Sequence, residues 1–236
     1  EKKKKKYQIN NLNKTKKFIN LCKKKNIQHF IFLSSSNVYK ESKNKKAFNE
    51  KSKIEPKNYY GKNKMIIERY LMKKNFKTLI ALRLFNVIGK FNDNFKIFKF
   101  KKKNYQRIIF KIIQSLKSKE EIKINYLNIK NKKVFPARDF INIYDVVKII
   151  TFFVKKKTHK KNLNLTINVG TGKSISIDKI IDIFLKFFNY KLKINFTRIS
   201  SKEFINTKAD IKKLKKYIKY TPKLNIKKTL SSQLSI

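Results

Sequence analysis

Apolar residues recur along this chain in two rhythms. From Asn11 to Asn26 they fall at Leu12, Ile19, Leu21 and Cys22, a spacing compatible with a helix. His29-Phe-Ile-Phe-Leu33 is then a short continuous apolar run, the mark of a strand buried on both faces of a parallel sheet. A polar stretch runs to Lys57. The pattern next predicts a helix from about Tyr60 to Lys74 and a second buried strand over residues 78–85, TLIALRLF. Strand, helix, strand in that order implies a right-handed parallel crossover and an α/β architecture.

Beyond Asn86 the pattern loosens. Residues 90–104 are basic and irregular, and Arg107 to Leu116 read as a helix. Segments 122–128 and 139–143 read as short strands, followed by a helix from Tyr144 to Val154. Ile167-Asn-Val169 is a further short strand that ends at Gly170-Thr-Gly172. Ser176 is a suitable N-cap for a helix over 177–188, with Asp178 favourably placed in its first turn. There are no internal repeats. The expected architecture is a partial doubly wound parallel sheet and a smaller α+β lobe, the two interleaved in sequence.

Composition sharpens this picture in a few places. Apolar residues make up 41% of 236, with 20 Phe and 11 Tyr, enough for a sizeable core. The single cysteine, Cys22, excludes internal disulfides and any multi-cysteine zinc site. Of the two histidines, His29 sits at the mouth of a buried strand and His159 in a lysine-rich loop, so no metal is expected. The run nearest to a membrane helix, 146–154, is interrupted by Lys148, and no signal peptide is visible, so a cytoplasmic location without membrane association is expected. Glu1 in place of a methionine suggests a chain that does not start where its reading frame starts.

The formal charge of +48 raises the alternative of a basic nucleic-acid-binding protein. Only five of the 62 basic residues are arginines, and lysine is spread over every segment. Phosphate-reading surfaces draw on the bidentate fork of arginine. Lys, Asn, Ile, Phe and Tyr are also the residues that A/T-rich codons write. The charge therefore reads as compositional bias, and no specific nucleic-acid partner is expected.

Three features carry candidate chemistry. Ser34-Ser35-Ser36-Asn-Val-Tyr39 lies just past a buried strand, where open α/β sheets put their ligands. Tyr60 and Lys64 open a helix at i and i+4 and so share one face. A lysine ammonium beside a phenol favours the phenolate, which is what a tyrosine general base needs. A serine hydroxyl near that phenol can share the substrate proton. Each feature alone is a common accident. Their order is not: strand and SSSNVY, then Pro56-Lys-Asn-Tyr-Tyr60-Gly-Lys-Asn-Lys64-Met-Ile-Ile-Glu68, then strand and Leu82-Arg-Leu-Phe-Asn-Val-Ile-Gly89.

These segments resemble the extended short-chain dehydrogenase/reductase family. Phe135-Pro-Ala-Arg-Asp-Phe-Ile-Asn-Ile-Tyr-Asp-Val146 is similar to its RDYIHVxDV segment, and Asn168-Val-Gly-Thr-Gly172 to its N-x-GTG turn. Ala209-Asp-Ile-Lys-Lys-Leu with Tyr220-Thr-Pro222 resembles its closing ADxSKA…WxP stretch, and Asn11-Leu-Asn-Lys-Thr15 its NVxGT helix start. All four glycines (61, 89, 170, 172) fall inside these segments. Ser35 is followed by Ser36-Asn37, unlike the Asp-Glu of dehydratases, and the length of 124–138 ahead of Arg138 resembles the UDP-glucose 4-epimerases.

The resemblance implies a Rossmann-like NAD-binding domain over 1–90, with 139–170 contributing and its first strands missing, and a nucleotide-sugar lobe mainly over 91–236. It implies NAD-dependent epimerisation at C4 of a UDP-hexose, with Ser35, Tyr60 and Lys64 catalytic. It places Asn11, Ser34, Tyr60 and Lys64 at the cofactor, and Ser35, Asn86, Arg138 and Glu203 at the UDP-sugar substrate. It also implies a homodimer when full length. Another nucleotide-sugar epimerase, reductase or decarboxylase using the same Ser/Tyr/Lys set, or an inactive remnant, stays open.

The chain departs from the family in several places. Arg107 stands where epimerases usually place an asparagine, Ser200 where an arginine meets the diphosphate, and Glu203 where an Asp meets the ribose. Thr207 occupies the position that limits pocket size, so N-acetylated sugars remain open. No G-x-x-G-x-x-G loop occurs, and that loop at a helix N-terminus is what receives the pyrophosphate. The isolated 236-residue chain is accordingly expected to bind NAD weakly and to be inactive; conversion of UDP-galactose by it would contradict this.

Overall fold

The computed structural model describes residues 12–40, 46–89, 108–118, 121–155, 163–187, 191, 193–198 and 206–234. Asn11 and Glu203, and with them Arg107, His159 and Ser200, lie outside the described residues.

Helix α1 (Lys14–Lys24) leads into strand β1 (His29–Ser35), whose end turns into a single 3-10 turn (Ser36–Val38). Helix α2 (Tyr59–Met72) crosses back to β2 (Thr78–Leu84), which pairs in parallel with β1 from His29↔Thr78 to Ser35↔Leu84. A short β3 (Asn86–Ile88) follows. Then come α3 (Ile108–Ser118), β4 (Ile122–Ile129), β5 (Lys132–Val134), β6 (Ala137–Asn142) and α4 (Ile143–Lys155). The last part holds β7 (Leu163–Val169), β8 (Ser174–Ser176), α5 (Ile177–Asp182), β9 (Ile194–Arg198), β10 (Asn206–Thr207), α6 (Lys212–Tyr217) and α7 (Ile226–Leu234).

The described strands form a parallel sheet in the order β1-β2-β7, a second sheet β10-β6-β3 with β8 on β6, and a third in the order β5-β4-β9. Central β2 shows why its apolar run is continuous. Leu79 packs on one face with Ile19 of α1 and with Ile67 and Leu71 of α2. Ile80 and Leu82 pack on the other with Ile149 and Phe153 of α4. Helices therefore cover both faces, the doubly wound α/β arrangement expected, and each fully buried aliphatic side chain contributes about 1.5–3 kcal/mol. Ala209, Ile211, Leu214 and Ile218 also belong to this second face, so the chain returns to the first sheet near its end. A separate cluster joins α3, β4 and α5 through Ile112, Ile124, Ile180 and Phe184.

Three local differences from the sequence reading have physical causes. The expected strands 122–128 and 139–143 are joined by an unforeseen hairpin, in which Ile129 pairs with Lys132. Its two loop residues, Lys130 (φ 49) and Asn131 (φ 58), adopt the left-handed region of a type I′ turn without glycine. Strand β7 begins at Leu163 rather than Ile167, because full pairing with β2 overrides the polar Asn164 and Thr166. Ser176 does stand at the N-cap of α5, but its side chain makes no capping bond there, and after Asp182 the helix passes into a π-helical turn (Ile183–Phe187).

One carboxylate helps to tie the second sheet to the first. Asp139 of β6 is fully buried. It accepts from Thr171 N (2.8 Å) and Thr171 Oγ1 (2.7 Å) on one oxygen, and from Gly172 N (2.9 Å) and Ala209 N (3.0 Å) on the other. Burial pushes this carboxyl above the usual carboxylate range, with the donors working against that. Gly170 has to be glycine because a Cβ there would lie 2.9 Å from Asp139 Oδ2 and 2.8 Å from Ala209 Cβ. Asp139→Asn turns an amide N–H2 toward backbone donors. It should destabilise the fold by about 2–4 kcal/mol, read as a fall in Tm of roughly 5–15 °C; an unchanged Tm would rule the clamp out.

Candidate active site

A cleft of about 540 Å³ opens where the carboxyl ends of β1 and β2 face β4, β6 and β10. Ser34, Ser35, Tyr60, Lys64, Asn86 and Arg138 all line it, although up to 104 positions separate them in the chain. The rule that ligands bind outside the carboxyl ends of parallel strands places the cleft here. Among its described lining residues Lys64, Lys111, Lys123 and Arg138 are cationic and none carries a carboxylate. That balance suits an anionic ligand.

Tyr60 and Lys64 owe their position to the start of α2. The Asn58 side chain caps the helix by accepting from Gly61 N at 2.7 Å. Gly61 presses that first turn onto the 3-10 turn, where an added Cβ would lie only 2.1 Å from Asn37 O. The absence of a side chain at 61 is thus what lets the start of α2 sit against the 3-10 turn, with Tyr60 in the same cleft as Ser35. Tyr60 is 37% exposed, so its phenol is open to a ligand. Lys64 Nζ donates to Leu33 O at 2.6 Å and lies 5.6 Å from the Tyr60 ring centroid and 4.8 Å from that of Phe32. Burial pushes the Lys64 ammonium below its ordinary range, partly countered by the charge of Glu68.

The serines divide the work. Ser35 ends β1 in extended backbone (φ −150, ψ 149) and accepts from Asn37 N at 3.2 Å, which fixes its rotamer at the cleft wall. Ser34 is 2% exposed and its hydroxyl donates to Glu68 Oε1. Its side chain is therefore engaged beneath the cleft, although the residue lines it. Asn86 donates through Nδ2 to Asp139 O (3.2 Å) and Thr207 Oγ1 (3.4 Å), reaching from β3 across to β6 and β10 of the same sheet. Arg138 stands opposite Thr207 in the β6–β10 register, donates from Nη1 to Ala137 O at 2.9 Å, and both residues line the cleft.

Beneath this set lies a polar network that sequence reading missed. Arg83 pairs with Glu68 through Nε–Oε1 (3.1 Å) and Nη2–Oε2 (2.7 Å), and both side chains are almost completely buried. Arg83 Nη1 donates to Tyr39 OH (3.0 Å) and to Glu50 O (3.2 Å). Tyr39 OH donates in turn to Asn168 Oδ1 at 2.5 Å, and Asn168 N donates to Glu50 Oε1 at 2.8 Å. The signal available in the sequence was Glu68 at i+4 from Lys64, and an arginine inside an otherwise apolar strand.

Comparison with known proteins bears on the family and the fold. A model of the NAD dependent epimerase/dehydratase family matches residues 1–170. A Bacillus subtilis (strain 168) protein described as an uncharacterized UDP-glucose epimerase is 26% identical over 236 aligned positions, and the alignment covers 97% of this chain. The chain spans 66% and 57% of the lengths of the two curated relatives it matches. A UDP-glucose 4-epimerase of Stenotrophomonas maltophila with bound NAD and formylated UDP-arabinopyranose superposes with a TM-score of 0.87 at 16% identity, over 99% of this chain and 70% of that one. A UDP-N-acetylglucosamine 4-epimerase from Methanobrevibacter ruminantium M1 in complex with UDP-N-acetylmuramic acid gives 0.78 at 25% identity, over 98% and 70%.

The network makes a prediction about alkaline pH. Burial first, and the neighbouring Glu50 charge, push the Tyr39 phenol up from 10.0 to about 12 against the pull of Arg83. A phenol whose pKa is raised in the folded state contributes stability that is complete below 10.0 and lost as pH rises through about 12. The stability deficit of Tyr39→Phe should therefore shrink across that window, and its tyrosinate absorbance should lack one late-ionising phenol. Tyr220, bonded to Asp145 and also raised to about 12, shares this last step in both proteins.

Proposed function

The chain belongs to the NAD dependent epimerase/dehydratase family, and we propose that it carries the catalytic set of an NAD-dependent UDP-hexose 4-epimerase. One observation carries this reading: the fold gathers Ser35, Tyr60 and Lys64 on one wall of the cleft and Arg138 on the other. Tyr60, as general base, takes the proton from the sugar 4-hydroxyl and later returns it. Lys64 sets positive charge beside the phenolate and would hold the cofactor ribose. Ser35 hydrogen-bonds the reacting oxygen and orients it. Arg138 holds the diphosphate through charge-assisted bonds, Asn86 supports the UDP side, and the lysines of the opposite wall add to the cationic field.

NAD+ when bound supplies the hydride acceptor for C4, and a 4-keto sugar free to turn over between the two transfers accounts for inversion. Tyr60 and Lys64 at the ends of the parallel strands fit the nicotinamide side of that cofactor. No glycine-rich segment of these 236 residues offers the pyrophosphate side, since Gly61, Gly89, Gly170 and Gly172 lie elsewhere. Thr207 in the lining favours keeping an N-acetylated UDP-hexose as a second reading of substrate, because a hydroxyl of that size leaves room beside the sugar.

The test is conversion of UDP-glucose, UDP-galactose and UDP-N-acetylglucosamine by the polypeptide that the whole reading frame encodes, with NAD+ present. Tyr60→Phe should cut turnover about a thousandfold while UDP affinity stays unchanged. Arg138→Ala should raise KM for the UDP-sugar more than it lowers kcat. Turnover that is indifferent to Tyr60→Phe would end this reading.

A further inference from the structure

We propose that Ser34, Glu68 and Arg83 form a positioning strut that sets the spacing of Ser35, Tyr60 and Lys64, a proposal that rests on the catalytic reading above. The two points at which α2 is fastened to β1 are consecutive residues, Leu33 and Ser34. Lys64 of α2 holds Leu33 O at 2.6 Å, and Ser34 gives its hydroxyl to Glu68, one turn further along the same helix. The helix is thus fastened at two successive points to the strand end that presents Ser35. Tyr60, Lys64 and Glu68 stand at i, i+4 and i+8, so movement of Glu68 is movement of the face that carries the other two.

Arg83 keeps Glu68 from moving. It lies directly opposite Ser34 in the β1–β2 register and grips both carboxylate oxygens of Glu68 in bidentate fashion. Its remaining donors reach Tyr39 OH and Glu50 O, and its guanidinium lies 4.9 Å from the Tyr39 ring centroid. Three elements meet at one carboxylate. Catalysis tolerates little slack, since a displacement of about 1 Å at reacting groups can cost a hundredfold in rate. The strut also assigns Ser34 a different task from cofactor binding: its hydroxyl is turned down into the protein and not toward a ligand.

Two variants separate these roles. Ser34→Ala cuts the strut at its smallest member, and Glu68→Gln keeps the shape and removes the charge. Ser34→Ala should lower kcat about tenfold or more with NAD affinity unchanged; a fall in NAD affinity at unchanged kcat would overturn the strut and restore Ser34 as a ligand. A second readout needs no turnover. Amine acylation followed by mass spectrometry gives the labelling of Lys64 relative to Lys62, an exposed lysine on the same helix. A released strut frees Lys64 alone, so the Lys64/Lys62 ratio should rise several-fold in both variants while each remains folded. An unchanged ratio in a folded variant would overturn the proposal. A raised ratio in a protein that converts no nucleotide sugar would keep the strut and sink the catalytic reading.

Discussion

The Arg83–Glu68 pair is the constraint on which the rest of the described structure leans. Both charges are removed from water, and an ion pair in that position recovers its desolvation cost only when every donor and acceptor is matched. Here the match is nearly complete: two bonds to Glu68, one to Tyr39 and one to Glu50 from a single guanidinium, with Ser34 completing the carboxylate. Losing one partner leaves the other charged and buried, a cost of about 3–5 kcal/mol. These bonds close β1, β2 and α2 together, and the same elements carry Ser35 and Tyr60 into one cleft. Stability and site geometry share the same atoms.

A second carboxylate does for the two sheets what Glu68 does within one. Asp139 sits next to Arg138 in sequence, yet the alternation of β6 sends the two side chains to opposite faces. One is buried against the Gly170–Gly172 turn and Ala209; the other lines the cleft. The packing at Gly170 is so close that no side chain fits. Arg138 and Thr207 thereby reach the cleft from a segment far along the chain, across from residues that α2 supplies. The cleft exists because two buried carboxylates each take hydrogen-bond donors from several segments.

The charge of +48 has little part in this internal order. Among the described residues the lysines lie mostly at the surface, and cation–π contacts such as Lys74 over Tyr70 (4.6 Å) and Lys133 over Tyr126 (5.1 Å) engage aromatic faces. Such contacts are worth about 0.5–1 kcal/mol each at exposed sites. The two buried ion and hydrogen-bond systems instead use an arginine, two glutamates, an aspartate, an asparagine and a tyrosine, which are scarce residues in this chain or scarce in its interior. Where geometry had to be fixed, the fold relies on groups with directional bonding. Repulsion among the lysines is a surface matter, open to screening by salt.

Part of this was legible in the residues alone. Continuous apolar runs announced β1 and β2, 3.6-residue spacing announced α2, and their order announced a parallel crossover, because burial on both faces leaves a periodicity that sequence displays. The family was legible as ordered motifs, and those motifs also named the candidates Ser35, Tyr60, Lys64 and Arg138 that line one cleft. Other features were not. The Lys130-Asn131 hairpin lacks the glycine that marks such turns, the first half of β7 hides behind the polar Asn164 and Thr166, and α6 is only six residues long. Above all, the bonds from Ser34 to Glu68, from Glu68 to Arg83 and from Asp139 to Ala209 join residues from 15 to 70 positions apart. Local spacing determines which face of an element a side chain occupies. Only the packing of elements decides which distant donor meets it, because a buried polar group must find its partner wherever the fold happens to bring one.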